Sequence, residues 1–226
     1  MEVIMLSNND KKHIIGIYDE MLEKYGYSSK SVGYPKVEPA FRYHILTSIA
    51  KFQDGETLLD LGCGFGDLYD FLLKYHPNVK YMGVDLNPEL ISMGKNVHPN
   101  ADLRVGDILK DDFGVFDWVV GFGIFSYRWL ETSTEDATKA IIQKMFQIAK
   151  KGVSVNFLSS YVDYMQPMAY HVSPEWAFSF AKTLSKRVTL RHDYMPYDFS
   201  LYIYKDEEIN DKNIFTQAKA NWEIQK

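Results

Sequence analysis

The chain has 226 residues, which is the size of one large domain and is long enough to bury a full-sized core. Hydrophobic residues make up 46% of it and charged residues 24%, values that exclude a disordered or fibrous protein. The single cysteine, Cys63, excludes an internal disulfide framework and a cysteine-rich zinc site, and we predict no bound metal. The formal charge of −5 disfavours nucleic acid as a partner. No apolar run reaches the roughly 20 residues that span a bilayer, so we expect a cytoplasmic protein without a membrane partner.

The predicted elements begin with two helices and continue as alternating strands and helices. The first helix covers 10–25 behind Asn9 or Asp10 as its cap, and the second covers 40–50 with Pro39 at its first position. Apolar strands are expected at 57–61, 80–85, 101–106, 116–121 and 153–158. Later helices are expected at 67–75, at 88–97, from a cap near Ser133 or Thr134 to Lys150, and from Pro174 behind the cap Ser173 to about Ser185. Segments 188–192 and 199–204 alternate with period two across a turn at 195–197, which predicts an antiparallel hairpin.

This pattern predicts an α/β fold. Apolar strands that alternate with helices favour a doubly wound, mostly parallel seven-stranded sheet with helices on both faces and a C-terminal antiparallel hairpin. We expect one domain over 1–226, with an N-terminal helical cap at 1–50, a cofactor-binding core at 51–205 and an appendage at 206–226. In such sheets the ligand lies beyond the carboxyl ends of the strands, where the strand order reverses.

Glycines and aspartates follow the first three core strands. Gly62 and Gly64 lie in a loop before a helix, where a backbone without side chains can approach a ligand closely. Asp60 lies beside that loop, where its carboxylate would repel a pyrophosphate but attract an ammonium and a sulfonium group. Asp85 ends the next strand and suits the two hydroxyls of a ribose, and Asp107 follows the third strand and suits an adenine amino group. Ordinary cap or loop carboxylates are the alternative for all three.

Taken in order, segments 58–66, 81–87, 106–108 and 116–123 resemble the class I S-adenosylmethionine-dependent methyltransferases, and with the hairpin the resemblance covers most of 38–205. It implies S-adenosyl-L-methionine as cofactor and S-adenosyl-L-homocysteine as product. It also implies that Gly62 and Gly64 pass under the methionine part, with Asp60 near its ammonium group. Asp85 would hold the ribose, and Leu86 would pack on the adenine. Asp107 and the backbone N–H of Ile108 would form hydrogen bonds with the edge of the adenine. Gly121 and Phe122 would line the methyl donor.

Two residues of the N-terminal stretch 26–43, Tyr34 and Arg42, are further cofactor-binding candidates. Arg42 stands in register with Leu46 and Ile49 on the inward stripe of its helix, where a guanidinium needs a partner. We expect it to anchor a carboxylate, either the donor's or the substrate's. The alternative is a side chain that extends past the stripe into solvent.

The loop 159–171 after the fifth core strand is long, aromatic and rich in methionine. Loops of this length in a compact domain are usually functional, so we predict a lid over a small, partly apolar substrate. A packing loop without substrate contact is the alternative. His171 is the first candidate for a general base and His192, near the hairpin tip, is the second.

We therefore predict an enzyme that transfers a methyl group to an oxygen or nitrogen of a small molecule by in-line displacement. A binding protein that keeps the cofactor pocket without transferring anything is one alternative. An NAD-dependent dehydrogenase is the other alternative, although Asp60 and Asp107 disfavour it. The acceptor and the oligomeric state stay open.

Overall fold

The computed structural model describes residues 4–33 and 39–205. The helices are α1 (Asn8–Tyr25), α2 (Pro39–Thr47), α3 (Leu68–Tyr75), α4 (Pro88–Val97), α5 (Thr134–Ile148) and α6 (Pro174–Leu184). The strands are β1 (Thr57–Leu61), β2 (Lys80–Asp85), β3 (Asp102–Val105), β4 (Phe116–Gly121), β5 (Ala149–Ser159), β6 (His171–Val172), β7 (Val188–Met195) and β8 (Asp198–Tyr204). No helix of the described ranges is both long and apolar enough to cross a bilayer.

The strands form one sheet in the order β3-β2-β1-β4-β5-β8-β7, and the short β6 pairs with β5 beside this path. All pairs are parallel except β5 with β8 and β8 with β7. The prediction of a doubly wound, mostly parallel sheet with a C-terminal antiparallel hairpin is confirmed. The two residues of β6 are an addition to the seven predicted strands, because they pair with β5 only after the long loop has returned to the sheet.

Neighbouring residues of each core strand face opposite sides, which gives the sheet an apolar cluster on either face. Leu58 belongs to one cluster, together with Leu46 of α2 and Leu72 of α3. Leu59 belongs to the other cluster, together with Ile142 of α5. Helices therefore cover both faces, and the carboxyl ends of β1, β2, β3 and β4 meet at one edge of the sheet.

Several predicted boundaries differ from the structure; for example, α2 ends at Thr47 instead of residue 50, and β7 extends to Met195 instead of residue 192. The cap of α1 is Ser7, whose hydroxyl accepts from Asp10 N at 3.0 Å, because the Asp10 carboxylate instead holds the segment that follows β4. Helix α5 ends at Ile148 and β5 begins at Ala149, since Ala149 already pairs with Phe116 of β4. Residues 206–226, the predicted appendage, lie outside the described residues.

Candidate functional site

The loop after β1 bends sharply at three glycines with left-handed backbone conformations, Gly62, Gly64 and Gly66. Gly62 has φ of +70° and Gly64 has φ of +57°. A Cβ atom on Gly62 would lie 2.2 Å from Cγ2 of Ile124, so the loop and the segment after β4 are in contact at a distance that only glycine allows. This bend places loop backbone at the edge where the strands end.

Asp85 fastens this loop to the end of β2. One oxygen of its carboxylate accepts from Gly64 N at 2.8 Å, and the other accepts from Asn87 N at 2.8 Å. Burial raises the pKa of Asp85 to about 6, although these backbone hydrogen bonds act in the opposite direction. The carboxylate is therefore both a fixed part of the loop and a group that titrates near neutral pH.

Asp60 lies deeper in the same region, with only 4% of its surface exposed. Burial raises its pKa to about 7, and the charges of Asp85 and Asp67 add to the rise. The hydroxyl of Tyr81 donates to Oδ2 of Asp60 at 2.9 Å, and this hydrogen bond opposes the rise in pKa. Such a buried acid is favourably ionised only beside a positive charge.

Asp107 contacts a residue that the sequence patterns do not reveal. Nζ of Lys11, on α1, lies 2.6 Å from Oδ2 of Asp107, and both side chains are largely buried. The other oxygen of Asp107 accepts from Leu109 N at 2.9 Å. Helix α1 therefore crosses the carboxyl ends of the strands and neutralises the acid that was expected to face adenine.

A first cavity collects most of the predicted cofactor residues. The predicted residues that line it are Asp60, Gly62, Gly64, Asp85, Leu86, Asp107, Ile108 and Phe122. Gly121 does not line it but packs behind it, where an added Cβ would lie 2.7 Å from Cδ1 of Ile124. The cavity is narrow, about 140 Å³, because Ile14, Ile15 and Tyr18 of α1 also face it.

A second cavity of about 560 Å³ adjoins the first. Four residues line both cavities: Tyr18, Val32, Gly123 and Tyr127. Arg42 and His171 line the second cavity only, whereas His192 lines neither. Tyr34 lies outside the described residues. The structure therefore distributes the predicted site residues over two adjoining cavities rather than one.

Arg42 is bound by a carboxylate of the chain itself. Nη1 of Arg42 donates to Oδ2 of Asp198 at 2.9 Å, and the Arg42 side chain is only 11% exposed. The interpretation of a side chain extended into solvent is therefore wrong. Asn156 continues the network, since its amide donates to Oδ1 of Asp198 at 3.1 Å and its carbonyl oxygen accepts from Gly123 N at 2.7 Å. This buried chain of contacts fixes the backbone of Gly123, in the wall between the cavities.

The long loop after β5 lies against the segment after β4. Tyr170 N donates to Ser126 O at 2.9 Å, and Arg128 N donates to Met168 O at 3.0 Å. Val162 and Tyr164 of this loop line the second cavity.

The two histidine candidates differ in their surroundings. Nδ1 of His171 lies 2.9 Å from the carbonyl oxygen of Ser159. Its Nε2 is buried and has no hydrogen-bond partner among the described residues. Nε2 of His192 lies 3.2 Å from Pro196 O, near the hairpin turn.

Sequence reasoning missed Lys11, Tyr18, Tyr81, Asn156 and Asp198. Asn156 carried a usable signal, because it is a polar residue inside the apolar strand 153–158. Lys11 and Tyr18 carried none, since nothing in an amphipathic helix pattern says which site the helix will cross.

Comparisons with known proteins place the chain in a family. A family model described as "Methyltransferase domain" matches residues 59–155. A Mycobacterium tuberculosis protein named as a methyltransferase, Rv1506c, is 30% identical over 165 residues, which cover 70% of this chain and 98% of the relative.

Solved structures agree on the fold. Magnesium protoporphyrin IX methyltransferase (ChlM) from Synechocystis PCC 6803 superposes with a TM-score of 0.61 at 14% identity over 87% of this chain and all of the other. Human N-acetylserotonin methyltransferase superposes with a TM-score of 0.59 at 14% identity over 87% of this chain and 57% of the other. These findings do not support the dehydrogenase alternative. The chain belongs to the class I S-adenosylmethionine-dependent methyltransferases, and it is an enzyme of that family.

Proposed function

We propose that the enzyme methylates an oxygen or nitrogen atom of a small molecule bound in the second cavity, with S-adenosylmethionine in the first. The observation that carries this proposal is the shared wall of the two cavities, formed in part by Gly123 and Tyr127. Methyl transfer from a sulfonium requires the acceptor atom and the methyl group to be in line and shielded from water. Two adjoining chambers provide that arrangement.

The donor side uses the carboxyl ends of the strands. The cofactor supplies an activated methyl group on a positively charged sulfur. We assign the methionine part to the backbone of Gly62 and Gly64, and its ammonium group to Asp60. The raised pKa of Asp60 supports this role, because an ammonium group supplies the positive charge that favours its ionised form.

The nucleoside is assigned to the neighbouring strand ends. Asp85 holds the ribose hydroxyls, Leu86 packs on the adenine, and Asp107 with Ile108 N reads its edge. The Lys11–Asp107 ion pair means that adenine must share or replace this partner. Phe122 lines the methyl donor, and Gly121 supports that position from behind.

The acceptor side assigns the base role to His171, which lines the second cavity. His192 receives no role, since it lines neither cavity. Arg42 is assigned to the support of Asp198 and Gly123 rather than to a carboxylate of the donor.

The test combines donor binding with the fate of the methyl group. Asp85→Ala is expected to weaken S-adenosylmethionine binding in calorimetry by roughly 1–3 kcal/mol, since it removes charge-assisted hydrogen bonds. Asp54→Ala, a change at an exposed turn, is the matched control and should bind normally. With methyl-labelled donor and a cell extract, the label should enter the low-molecular-weight fraction. Label found only in protein or nucleic acid would reject a small-molecule acceptor.

A further inference from the structure

The ring of His171 is held in one tautomer. Its Nδ1 lies 2.9 Å from the carbonyl oxygen of Ser159, and a carbonyl oxygen can only accept a hydrogen bond. Nδ1 therefore carries the proton, and Nε2 of the neutral ring carries a lone pair. That atom is buried and has no partner among the described residues. His171 thus lines the second cavity with an unpartnered lone pair on Nε2, which an acceptor can reach once the side chains that cover this atom move aside.

The formal charges around this cavity cancel. Arg42 and Asp198 are the charged side chains among the described residues that line it, and they form an ion pair with an N–O distance of 2.9 Å. The second oxygen of Asp198 already accepts from Asn156. An ionic acceptor would compete with this buried pair for a counter-charge, because each of the two charged lining side chains already neutralises the other. A neutral acceptor leaves it intact.

The remaining lining includes four tyrosine rings beside small and aliphatic residues. Tyr18, Tyr127, Tyr164 and Tyr197 line the cavity. The rings of Tyr18 and Tyr127 meet edge-on, with centroids 6.0 Å apart, at the boundary with the donor chamber. Aromatic side chains favour stacked or edge-on contact with another planar ring. A volume of about 560 Å³ lies in the range of pockets that hold drug-sized ligands.

A histidine base also selects among hydroxyl groups by acidity. A phenol has a pKa near 10, as tyrosine has, whereas the pKa of an aliphatic hydroxyl is far higher and resembles that of water. General-base catalysis is effective where the proton transfer is not too far uphill. An imidazole can therefore assist a phenol but contributes little to an aliphatic alcohol.

On these grounds we infer that the acceptor is an uncharged aromatic compound and that methylation occurs on its phenol-type hydroxyl, a conclusion that rests on the proposed function. The acceptor oxygen bonds to the methyl carbon while the carbon–sulfur bond breaks, and the electron pair of that bond stays on sulfur. The hydroxyl proton passes to Nε2 of His171, and the imidazolium then returns it to water. The products are an aryl methyl ether and neutral thioether.

The test uses acceptors of matched shape and His171→Asn, which keeps an N–H group for Ser159 O and removes the ring base. The acceptors are para-cresol, para-cyanophenol, para-toluidine, para-toluate and a methylcyclohexanol, assayed by S-adenosylhomocysteine release at neutral pH. The wild-type enzyme should methylate the phenols and not the alcohol or the carboxylate. His44→Asn, at an exposed position of α2, is the control and should behave as wild type.

The substitution should act according to the acidity of the acceptor. His171→Asn should lower kcat for para-cresol by about 10²–10⁴-fold, the usual contribution of a general base. It should cost less for para-cyanophenol, which is uncharged but has a more acidic hydroxyl and needs less help from a base, and it should leave the Kd for S-adenosylmethionine unchanged. An equal loss for both phenols would show that His171 is structural and would overturn the base role.

Two further outcomes separate this inference from the proposed function. Methylation of para-toluidine or para-toluate without the phenols would overturn the phenol assignment and leave a small-molecule acceptor in place. Donor binding without transfer to any small molecule, in the panel or in a cell extract, would overturn the proposed function itself.

Discussion

The raised pKa values of the Asp60 and Asp85 carboxyl groups predict that donor binding depends strongly on pH. Asp60 has a pKa of about 7 and Asp85, which is less deeply buried, a pKa of about 6. If both must be ionised to bind the donor, the free protein loses affinity tenfold for each pH unit below each pKa. Between pH 8 and pH 5 this amounts to about 100-fold from Asp60 and about 10-fold from Asp85. Together the two groups predict that the Kd for the donor is about 1,000-fold higher at pH 5 than at pH 8.

Calorimetric titration of S-adenosylmethionine and S-adenosylhomocysteine across this range measures the effect. Asp60→Asn should weaken binding at pH 8 and leave only the roughly tenfold dependence that comes from Asp85. Tyr81→Phe removes the hydrogen bond that lowers the pKa of Asp60. As the pH is lowered, this variant should therefore begin to lose donor affinity at a higher pH than the wild-type enzyme. Asp54→Asn is the control and should retain the full dependence.

The same groups give a second, independent signal in the unliganded protein. A carboxyl whose pKa in the folded state lies above its unfolded value of about 3.8 destabilises the fold as pH rises through that interval. The free energy of unfolding should therefore fall between about pH 4 and pH 7, and Asp60→Asn should remove most of that fall. Donor affinity that is constant from pH 5 to pH 8, or that depends on pH equally in Asp60→Asn, would refute this reasoning.

Two further predictions concern the supports of the site. Asp10 is fully buried and accepts five hydrogen bonds, four of them from the segment 130–132, and these bonds lower its pKa to about 2. Asp10→Asn should lower the free energy of unfolding, measured with urea at pH 7, by about 2 kcal/mol. The difference from wild type should vanish as the pH falls towards 2, because a carboxyl with a lowered pKa stabilises the fold only at pH values where it is ionised. A difference that does not depend on pH would contradict this. Gly62→Ala should cost about 2–4 kcal/mol, from its left-handed backbone and the contact with Ile124. In a double-mutant cycle with Ile124→Ala the two changes should couple by about 1 kcal/mol or more, and strict additivity would show that the contact is not responsible.

The strands and the glycine loop could be predicted because their signals are local. The bounds of β1, β2 and β4 match the sequence pattern, since apolar runs between turn residues specify buried strands without reference to distant partners. A parallel arrangement brings the strand ends to one edge, so the sequence alone was enough to place Asp60, Asp85 and Asp107 near one another.

The partners of those residues could not be predicted, because they come from elements far away in the chain. Arg42 and Asp198 form one ion pair although they are 156 residues apart in the sequence. Lys11 reaches Asp107 only because α1 folds across the strand ends, held there by Asp10.

The sequence by itself determined the order of the strands and helices, the glycine bend and the acidic strand ends, since each depends on residues within a few positions of one another. The tertiary structure decided that there are two chambers, that Arg42 is already paired and that Nε2 of His171 is left with its lone pair. These features depend on packing between distant segments, and a hydrophobic pattern specifies which face is buried but not what it is buried against.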